Sequence, residues 1–520
     1  MSDSRLATVL AYHARSKHAL DRYAAGPGTL DWDAQPAAFR DWAGTQRIAL
    51  PRDIAVAAIP WGEVAAGRPA VPPDSAGLGS FLRLCVGLTA WKEYAGSRWS
   101  LRAHPSSGNL HPTETWLIAA GVAGLDDGLY HYHNLHHALE RRAWGTPVRA
   151  RGACLGFSSI HWREAWKYGE RAFRYCQLDL GHVLAAVSYA AALQGWRPRL
   201  LNIDTVGAAR HLGLDRAGDF AGVEQEEAEV LVALETDVVL PPDWQHWAGK
   251  PGLLDPRPLY RWPVIDEVAV ATRGAPPVAG AASADTAVCR SDCAADIDAV
   301  EVILRRRSAQ AFDGRSTMPA GVFRRLLTAL LPGGSPAWKL WPHPARVHPL
   351  LLVHRVEGIE PGLYALPRTA AAKGMLQSVL RDTFSWQPAD PGLPLFQLVA
   401  ARTGKTARTL CCHQAIAAEG AVTFMLLAEF AGPVAADPAG YRHLHWEAGM
   451  LGHVVTLEAE AAGWRGTGIG CFFDDADHEL LGLPDNRFQV IYHYAVGMAV
   501  DDPRLLTLPA YEAEEEGGHG

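Results

Sequence analysis

Basic residues are in the minority in this 520-residue chain: 48 Lys and Arg stand against 56 Asp and Glu, a formal net charge of −8. Proteins that hold nucleic acid neutralise many phosphates with cations, so no nucleic-acid partner is expected. Cysteine is scarce, with eight residues and no framework spacing. Cys289-x3-Cys293 and Cys411-Cys412-His413 lack a second pair at ligand spacing, so no metal is expected, and the thiols read as reduced. The longest apolar runs, such as Leu184–Leu193, are interrupted by Ser188 and Tyr189 and fall short of a membrane span. Met1-Ser2-Asp3-Ser4-Arg5 does not open a signal peptide, and a cytoplasmic protein off the membrane is expected. A Gly-x-Gly-x-x-Gly after a strand is also missing, which leaves a Rossmann dinucleotide domain unsupported.

What is present is a soluble globular composition, 48% hydrophobic and 20% charged, in a chain too long for one growing core. Two domains are therefore expected, and the chain states one pattern twice. Phe173-Arg174-(x4)-Asp179-x-Gly181 is followed by Gly195-Trp196-Arg197, and Tyr441-Arg442-(x4)-Glu447-x-Gly449 by Gly463-Trp464-Arg465, with Gly181 to Gly449 and Trp196 to Trp464 both 268 residues apart. A register held that long points to a fused dimer. Residues 266–296, rich in Ala, Gly, Pro and Ser, read as a linker between a first half, 1–265, and a second, 297–508; 509–520 reads as an acidic disordered tail. Each half carries an early helix, a strand ending at a Gly-Leu-Tyr, a long helix with small residues (174–194 and 442–462) and a closing strand (Glu229–Glu235 and Gln489–Val496). Without a βαβ rhythm, this is an α+β layer fold.

Four stretches carry chemistry. In His104-Pro105-Ser106-Ser107-Gly108-Asn109-Leu110-His111, two hydroxyls, a glycine and an amide suit hydrogen bonding to a planar heterocycle edge, though a plain turn has the same letters. In Arg305-Arg306-Arg307-Ser308-Ala309-Gln310, Arg306 and Ser308 suit an anion grip, and the same run suits a solvated face. Lys167 and Tyr168 place an ammonium beside a phenol, an acid–base pair if burial lowers the lysine and otherwise a common surface pair. Gly466-Thr467-Gly468-Ile469-Gly470-Cys471 is glycine-rich enough to wrap closely around a ligand. Trp32, Trp42, Trp162 and Trp166 read either as pocket or interface lining or, more commonly, as core.

Together and in this order the stretches resemble the nitroreductase superfamily of flavoproteins, and within it the SagB-type dehydrogenases that oxidise thiazolines and oxazolines in ribosomally made peptides. The resemblance rests on Pro-Ser-Ser-Gly-Asn-Leu-His-Pro-Thr-Glu (105–114), Gly-Leu-Tyr-His-Tyr (128–132), Lys-Tyr-Gly-Glu-Arg-Ala-Phe-Arg-Tyr (167–175), Arg-Arg-Ser-x-x-x-Phe-Asp (306–313) and Val496-Gly497-(x6)-Arg504. It implies two tandem nitroreductase-like domains forming an intrachain pseudo-dimer around FMN. The second half would grip the phosphate through Arg306, Ser308 and Arg504, with Gln310 near the ring and Ile469, Gly470 and Cys471 against the flavin. The first half would supply Pro105, Ser106, Ser107 and Asn109. Lys167 or Tyr168 would take the azoline α-proton, hydride would pass to flavin N5, and oxygen would reoxidise the flavin. Arg171, Arg174 and Gln310 are candidates to stabilise the reduced flavin.

The two copies differ at these positions. Ala14-Arg15-Ser16 lacks the leading arginine, 343–349 lacks the serines and asparagine, and Ala435-Ala436 stand where Lys167-Tyr168 would be. One FMN per chain is therefore expected, or one tight and one weak. The substrate is expected to be a peptide or small molecule, with a cyclodehydratase complex as partner and further oligomerisation left open. A nicotinamide-dependent reductase of nitroaromatics or quinones and a non-catalytic scaffold or peptide-binding partner are the competing readings.

Overall fold

A computed structural model describes residues 2–146, 152–234, 240, 243–277, 296–341 and 343–511. Each half is built on an antiparallel sheet. In the first, the spatial order is 246–247, 138–144, 128–133, 113–120, 152–159, 227–233 and 199–200, with 46–49 also joined to 138–144. In the second it is 387–388, 396–400, 362–365, 347–353, 422–429, 488–497 and 465–469. The central pairings correspond, Thr113↔Ser159 through Ala120↔Gly152 in one and Val347↔Ala428 through Val353↔Val422 in the other. Thr113–Ala120 and Val347–Val353 are buried along their whole length, as short continuous apolar runs demand. The chain thus adopts the expected α+β nitroreductase-like fold in tandem.

The long helices Ala172–Gln194 and Gly440–Ala461 are offset by the same 268 residues and pack against each other at the join. Their meeting point is set by two glycines. A Cβ on Gly181 would lie 2.2 Å from the Trp446 carbonyl oxygen, and one on Gly449 would lie 2.1 Å from that of Leu178. Neither carbonyl can move without shifting its helix. Gly181→Ala is therefore expected to cost about 1–3 kcal/mol, as overpacking does, and to lower the urea midpoint. One apolar core runs through both long helices and the facing sides of both sheets, and a separate cluster backs each sheet. The stretch His161–Gln194 has the length and apolarity of a membrane span, but 94% of its most apolar window is buried inside this shared core.

The arginines of the repeat clasp the halves together. Arg174 of the first half pairs with Asp474 of the second at 2.6 Å, and Arg442 of the second pairs with Glu227 at 3.3 Å and with Glu229 of the first. A third small sheet also crosses over: Leu506–Leu508 pairs with Leu88–Tyr94, which itself pairs with Ser97–Arg102.

Two expected boundaries are corrected. Residues 266–271 do not belong to a linker, because the helix Pro263–Ala271 carries Ile265, Val268 and Ala269 at helical spacing and buries them. Residues 509–511 do not begin a free tail, since the Tyr511 hydroxyl donates to the Asn134 carbonyl at 3.1 Å and accepts from the Leu88 N–H at 3.1 Å. Of the expected linker and tail, residues 278–295 and 512–520 lie outside the described residues.

Candidate functional site

A cavity of about 940 Å³ opens between the halves, within the size range of small-molecule sites. Pro105, Ser106, Ser107, Asn109 and Tyr168 of the first half line it together with Arg306, Ser308, Gln310, Ile469, Gly470 and Cys471 of the second. Segments more than 350 residues apart in sequence thus share one wall. Lys167 and Arg504 are not in that lining.

The first-half loop is a single helical turn, Ser107–Asn109, bent by left-handed backbone at Gly108 (φ 57°), Asn109 (φ 59°) and His111 (φ 54°). Asp179, on the long helix, holds it: its carboxylate accepts the Ser107 N–H at 2.9 Å and the Ser107 hydroxyl at 3.0 Å. Asn109 Nδ2 donates to the Ser100 carbonyl at 2.9 Å, and the Ser106 hydroxyl accepts the His111 N–H at 3.1 Å. The expectation that these side chains offer their donors to a ligand is corrected accordingly; Ser107 and Asn109 direct theirs into the scaffold and brace the loop. A Cβ on Gly108 would lie 2.5 Å from the Tyr168 hydroxyl, so the glycine lets the phenol close over the loop.

Tyr168 ends the helix His161–Tyr168 and meets Tyr175 edge to face at 4.8 Å. Burial raises its phenol above the ordinary tyrosine value, with the Glu164 charge adding to the effect. Lys167 lies behind it, its Nζ 5.3 Å from the Tyr168 ring centre and 5.5 Å from that of Trp32. Burial lowers the lysine, and Glu164, one helical turn earlier, opposes that shift. Glu164 is fully buried and faces Asp179 carboxyl to carboxyl without standard hydrogen-bond geometry between them. Burial raises both acids, so the pair holds a proton at neutral pH. Sequence reasoning gave neither acid a role, although Asp179 stood in the repeat.

The opposite end of the cavity is cationic. Arg305, Arg306 and Arg307 meet Lys92 and Arg465 there, beside Glu460, Asp501 and Asp502. Arg306 bridges the halves: its Nε donates to the Ala103 carbonyl at 2.9 Å and its Nη2 to that of Arg102 at 2.8 Å, while its Nη1 is buried with no hydrogen-bond partner among the described residues. Arg307 is pushed down to about 10 by burial and by Arg306, and Lys92 is lowered by burial and by Arg307. Arg306 thus depresses Arg307, and Arg307 depresses Lys92; an anion among them would reverse that. Ser308 is exposed on the same wall.

Arg504, the expected second phosphate grip, is corrected: it lies over Tyr94 at 5.2 Å and pairs with Asp502 at 2.6 Å, its side chain 68% exposed. Lys92 and Arg465 take its place in the wall. Arg465 belonged to the repeated Gly-Trp-Arg, while Lys92 reaches the site only because its strand pairs with the end of the other half. Arg171 and Arg174, proposed to face the ring, instead bind Asp474. Of the tryptophans, Trp42 is core, Trp32 meets Trp166 at 5.4 Å, and Trp162 donates to Asp255 at 2.8 Å. Cys411 contacts His493 at 3.3 Å, and the Cys289-x3-Cys293 pair lies outside the described residues.

The pseudo-symmetric counterpart of this cavity is built differently. Glu447, the equivalent of Asp179, accepts the Arg346 and Val347 N–H groups and pairs with buried Arg368. On and beside the same helix, His443 and Trp341 pack against Trp446, with ring centres 5.1 Å apart for His443–Trp446 and 6.4 Å for Trp341–Trp446. Arg15 is taken by Glu170 at 2.6 Å, and the Ser16 hydroxyl accepts from Arg174 at 2.9 Å.

The residues of the open cavity fit FMN. The unpartnered Arg306 Nη1, the depressed cations Arg307 and Lys92, and Ser308 suit its phosphate, and the rest of the cavity, towards Tyr168, suits a flat ring system.

Residues 303–498 match the nitroreductase family. Trifolitoxin-processing protein TfxB of Rhizobium leguminosarum bv. trifolii is 32% identical over 120 residues, 20% of this chain and 32% of that protein, so the chain spans about a third of this curated relative. The crystal structure of a putative nitroreductase from Anabaena variabilis superposes with a TM-score of 0.69 at 22% identity, covering 95% of this chain and 99% of its own, which establishes the fold across both halves. The E. coli microcin synthetase McbBCD complex with truncated pro-MccB17 bound aligns with a TM-score of 0.26 at 16% identity, over 45% of this chain and 93% of that one. That overlap is too slight to carry an argument.

Proposed function

We propose that this chain, whose residues 303–498 match the nitroreductase family, is an oxidoreductase that binds one FMN in the cavity between its halves and dehydrogenates azoline rings of a ribosomally made peptide. The observation that carries this is the shared wall: Tyr168 and the braced Pro105–Asn109 loop of one half close on the same space as Ser308 and the cations of the other. The likeness to a trifolitoxin-processing protein supports a peptide substrate, and a cyclodehydratase would be the partner that makes the azoline.

Bound FMN would supply the two-electron acceptor. Arg306 through its Nη1, with Lys92, Arg307, Arg465 and Ser308, would hold its phosphate, while the other nitrogens of Arg306 keep the neighbouring first-half strand in register. Lys167, its ammonium weakened by burial, is the group suited to take the proton from the azoline ring carbon. Tyr168, its phenol strengthened in the protonated form, is suited to donate a hydrogen bond and orient the ring. Asp179 positions the loop beneath it.

The reciprocal place, packed by Trp341, His443 and Trp446, supports a single cofactor. Flavin released by heat from the purified protein is expected at one equivalent per chain, and two would defeat the single-site reading. Arg306→Ala is expected to lower flavin affinity by roughly tenfold or more, since a charge-assisted hydrogen bond contributes about 1.5–3 kcal/mol; fluorescence titration measures it. The function is tested by giving the flavin-loaded protein an azoline peptide and following loss of two hydrogens per ring by mass spectrometry. Rapid anaerobic bleaching by NADPH with no azole formed would favour a nicotinamide-dependent reductase instead.

A further inference from the structure

The cavity wall contains a pair of nucleophilic groups that the proposed reaction leaves unused. Cys412 follows the helix Gly404–Leu410 and Cys471 follows the strand Arg465–Ile469; both are partly exposed and both line the cavity. The two segments are laced together, since the Phe473 N–H donates to the Leu410 carbonyl at 2.8 Å and Gln414 Nε2 donates to the Cys471 carbonyl at 3.2 Å. Cys412 and His413 both adopt left-handed backbone, φ 50° and 60°, which side chains with a Cβ rarely adopt unless the surroundings hold them. That turn and the lacing of the two segments put Cys412 and Cys471 in the same stretch of wall, close enough for each to shift the other's affinity for a proton.

The segment that follows Cys471 is tied to His18, whose backbone bridges to Phe473 and whose carbonyl accepts the Asp474 N–H at 3.0 Å, and His18 favours the Cys471 thiolate. His18 Nδ1 accepts the Ala24 N–H at 2.8 Å, so the neutral ring carries its proton on Nε2 and presents a donor. Arg171 adds positive charge, its Nη2 donating to the neighbouring Gly470 carbonyl at 3.1 Å. Cys412 first, with His18 and Arg171, brings Cys471 down to about 5 against the effect of burial, while Cys412 is raised, first by Cys471 and then by burial. Cys471 is thus the sulfur favoured as thiolate and Cys412 the one that keeps its proton. The remaining described cysteines, Cys85, Cys154, Cys176 and Cys411, are buried.

We propose that Cys471 and Cys412 form a redox-responsive dithiol that reduces hydroperoxides, with Cys471 as the attacking and Cys412 as the resolving sulfur. The Cys471 thiolate attacks the terminal oxygen of the hydroperoxide, the O–O bond breaks, and the departing alkoxide takes a proton to leave as the alcohol, or as water from hydrogen peroxide. Cys471 is then a sulfenic acid. Cys412 attacks its sulfur, the S–S bond forms, the S–O bond breaks, and hydroxide leaves with a proton as water. Two thiols have lost two electrons to the hydroperoxide. The arrangement matches what makes a thiol responsive: thiolate character, access and a neighbouring resolving cysteine. The disulfide would tie the turn at 412 to the segment at 471 across the wall of the cavity. The inference does not depend on the azoline substrate.

The test uses the full-length chain, with and without flavin: brief exposure to equimolar hydrogen peroxide, blocking with iodoacetamide, digestion and mass spectrometry. A Cys412–Cys471 linked peptide, absent before treatment and removed by dithiothreitol, is expected. In Cys412→Ser, dimedone is expected to label Cys471 at least about tenfold more than any other cysteine. The proposal is overturned if both residues alkylate equally before and after peroxide in the unsubstituted chain, a result that needs no variant to fold. It is also overturned if Cys412 in Cys471→Ser traps dimedone as well as Cys471 does in Cys412→Ser.

Discussion

Lys167→Ala is expected to lower the turnover of azoline oxidation by about 10²–10⁴-fold while leaving bound flavin in place, the loss that follows removal of a positioned general base. The position of Lys167 accounts for both parts of that result. Lys167 is outside the cavity lining, its Nζ held against the Trp32 and Tyr168 rings, so cofactor retention is independent of it. It sits one helical position from Tyr168 in a half-buried niche against two aromatic faces, where burial lowers its affinity for a proton. Lysine with a depressed value carries more of the free amine at neutral pH than an exposed lysine does, and only the free amine can accept the substrate proton. The rate should accordingly rise with pH and level off below the ordinary lysine value of about 10.4. Tyr168→Phe should cost less, about tenfold or under, because a raised phenol acts as a hydrogen-bond donor contributing about 0.5–1.5 kcal/mol. If Tyr168→Phe abolished turnover and Lys167→Ala left it intact, the two roles would be exchanged. Azole formation followed by mass spectrometry, with flavin absorbance on the same samples, separates these outcomes.

The sequence made the join between the halves legible because the residues that form it are local and periodic. Gly181 and Gly449 stood at equal places in a repeated helix, and small residues on a helix face mean close approach; the structure puts each glycine against the other helix. Arg174 and Arg442 were visible as repeated letters but not as clasps, since their acidic partners, Asp474 and Glu229, lie 300 and 213 residues away in sequence. The site divides along the same line. Stretches that carry several functional letters together, Pro105–Asn109 and Arg306–Ser308, were found from their own composition. Lys92 was not, because Leu88–Tyr94 is an ordinary strand until Leu506–Leu508 pairs with it and brings it to the cavity. Arg504 erred in the other direction: its spacing suits a phosphate grip, yet Asp502 two residues earlier captures the guanidinium at the rim. Charge pairing over a few residues can thus override a motif, and spacing alone does not reveal it.

Loss of the Asp474 carboxylate is expected to destabilise the protein by about 3–5 kcal/mol, the cost of stranding buried guanidinium groups. Asp474 is 1% exposed and binds Arg171 at 2.9 Å and Arg174 at 2.6 Å, both buried, and it also accepts the His18 N–H at 3.0 Å. In Asp474→Asn the shape remains but two cations of the first half lose their only anionic partner among the described salt bridges. The adjacent residue provides the contrast. Asp475 pairs with Lys17 at 2.8 Å with its own side chain 58% exposed, and Asp475→Asn should cost less than about 1 kcal/mol because solvent screens such a pair. Urea unfolding of the two variants should therefore separate strongly although the substitutions are neighbours. The contribution also has a pH signature. The two arginines hold the Asp474 carboxyl below the ordinary aspartate value despite burial, which acts the other way. A depressed folded-state carboxyl stabilises the fold above the unfolded value of about 3.9 and ceases to do so as pH falls through the folded one. Acid unfolding of the parent chain should thus include this loss, and Asp474→Asn should unfold with a shallower dependence on acid pH. Equal stability of Asp474→Asn and Asp475→Asn at neutral pH would mean that the Asp474 clasp contributes nothing measurable to holding the halves together.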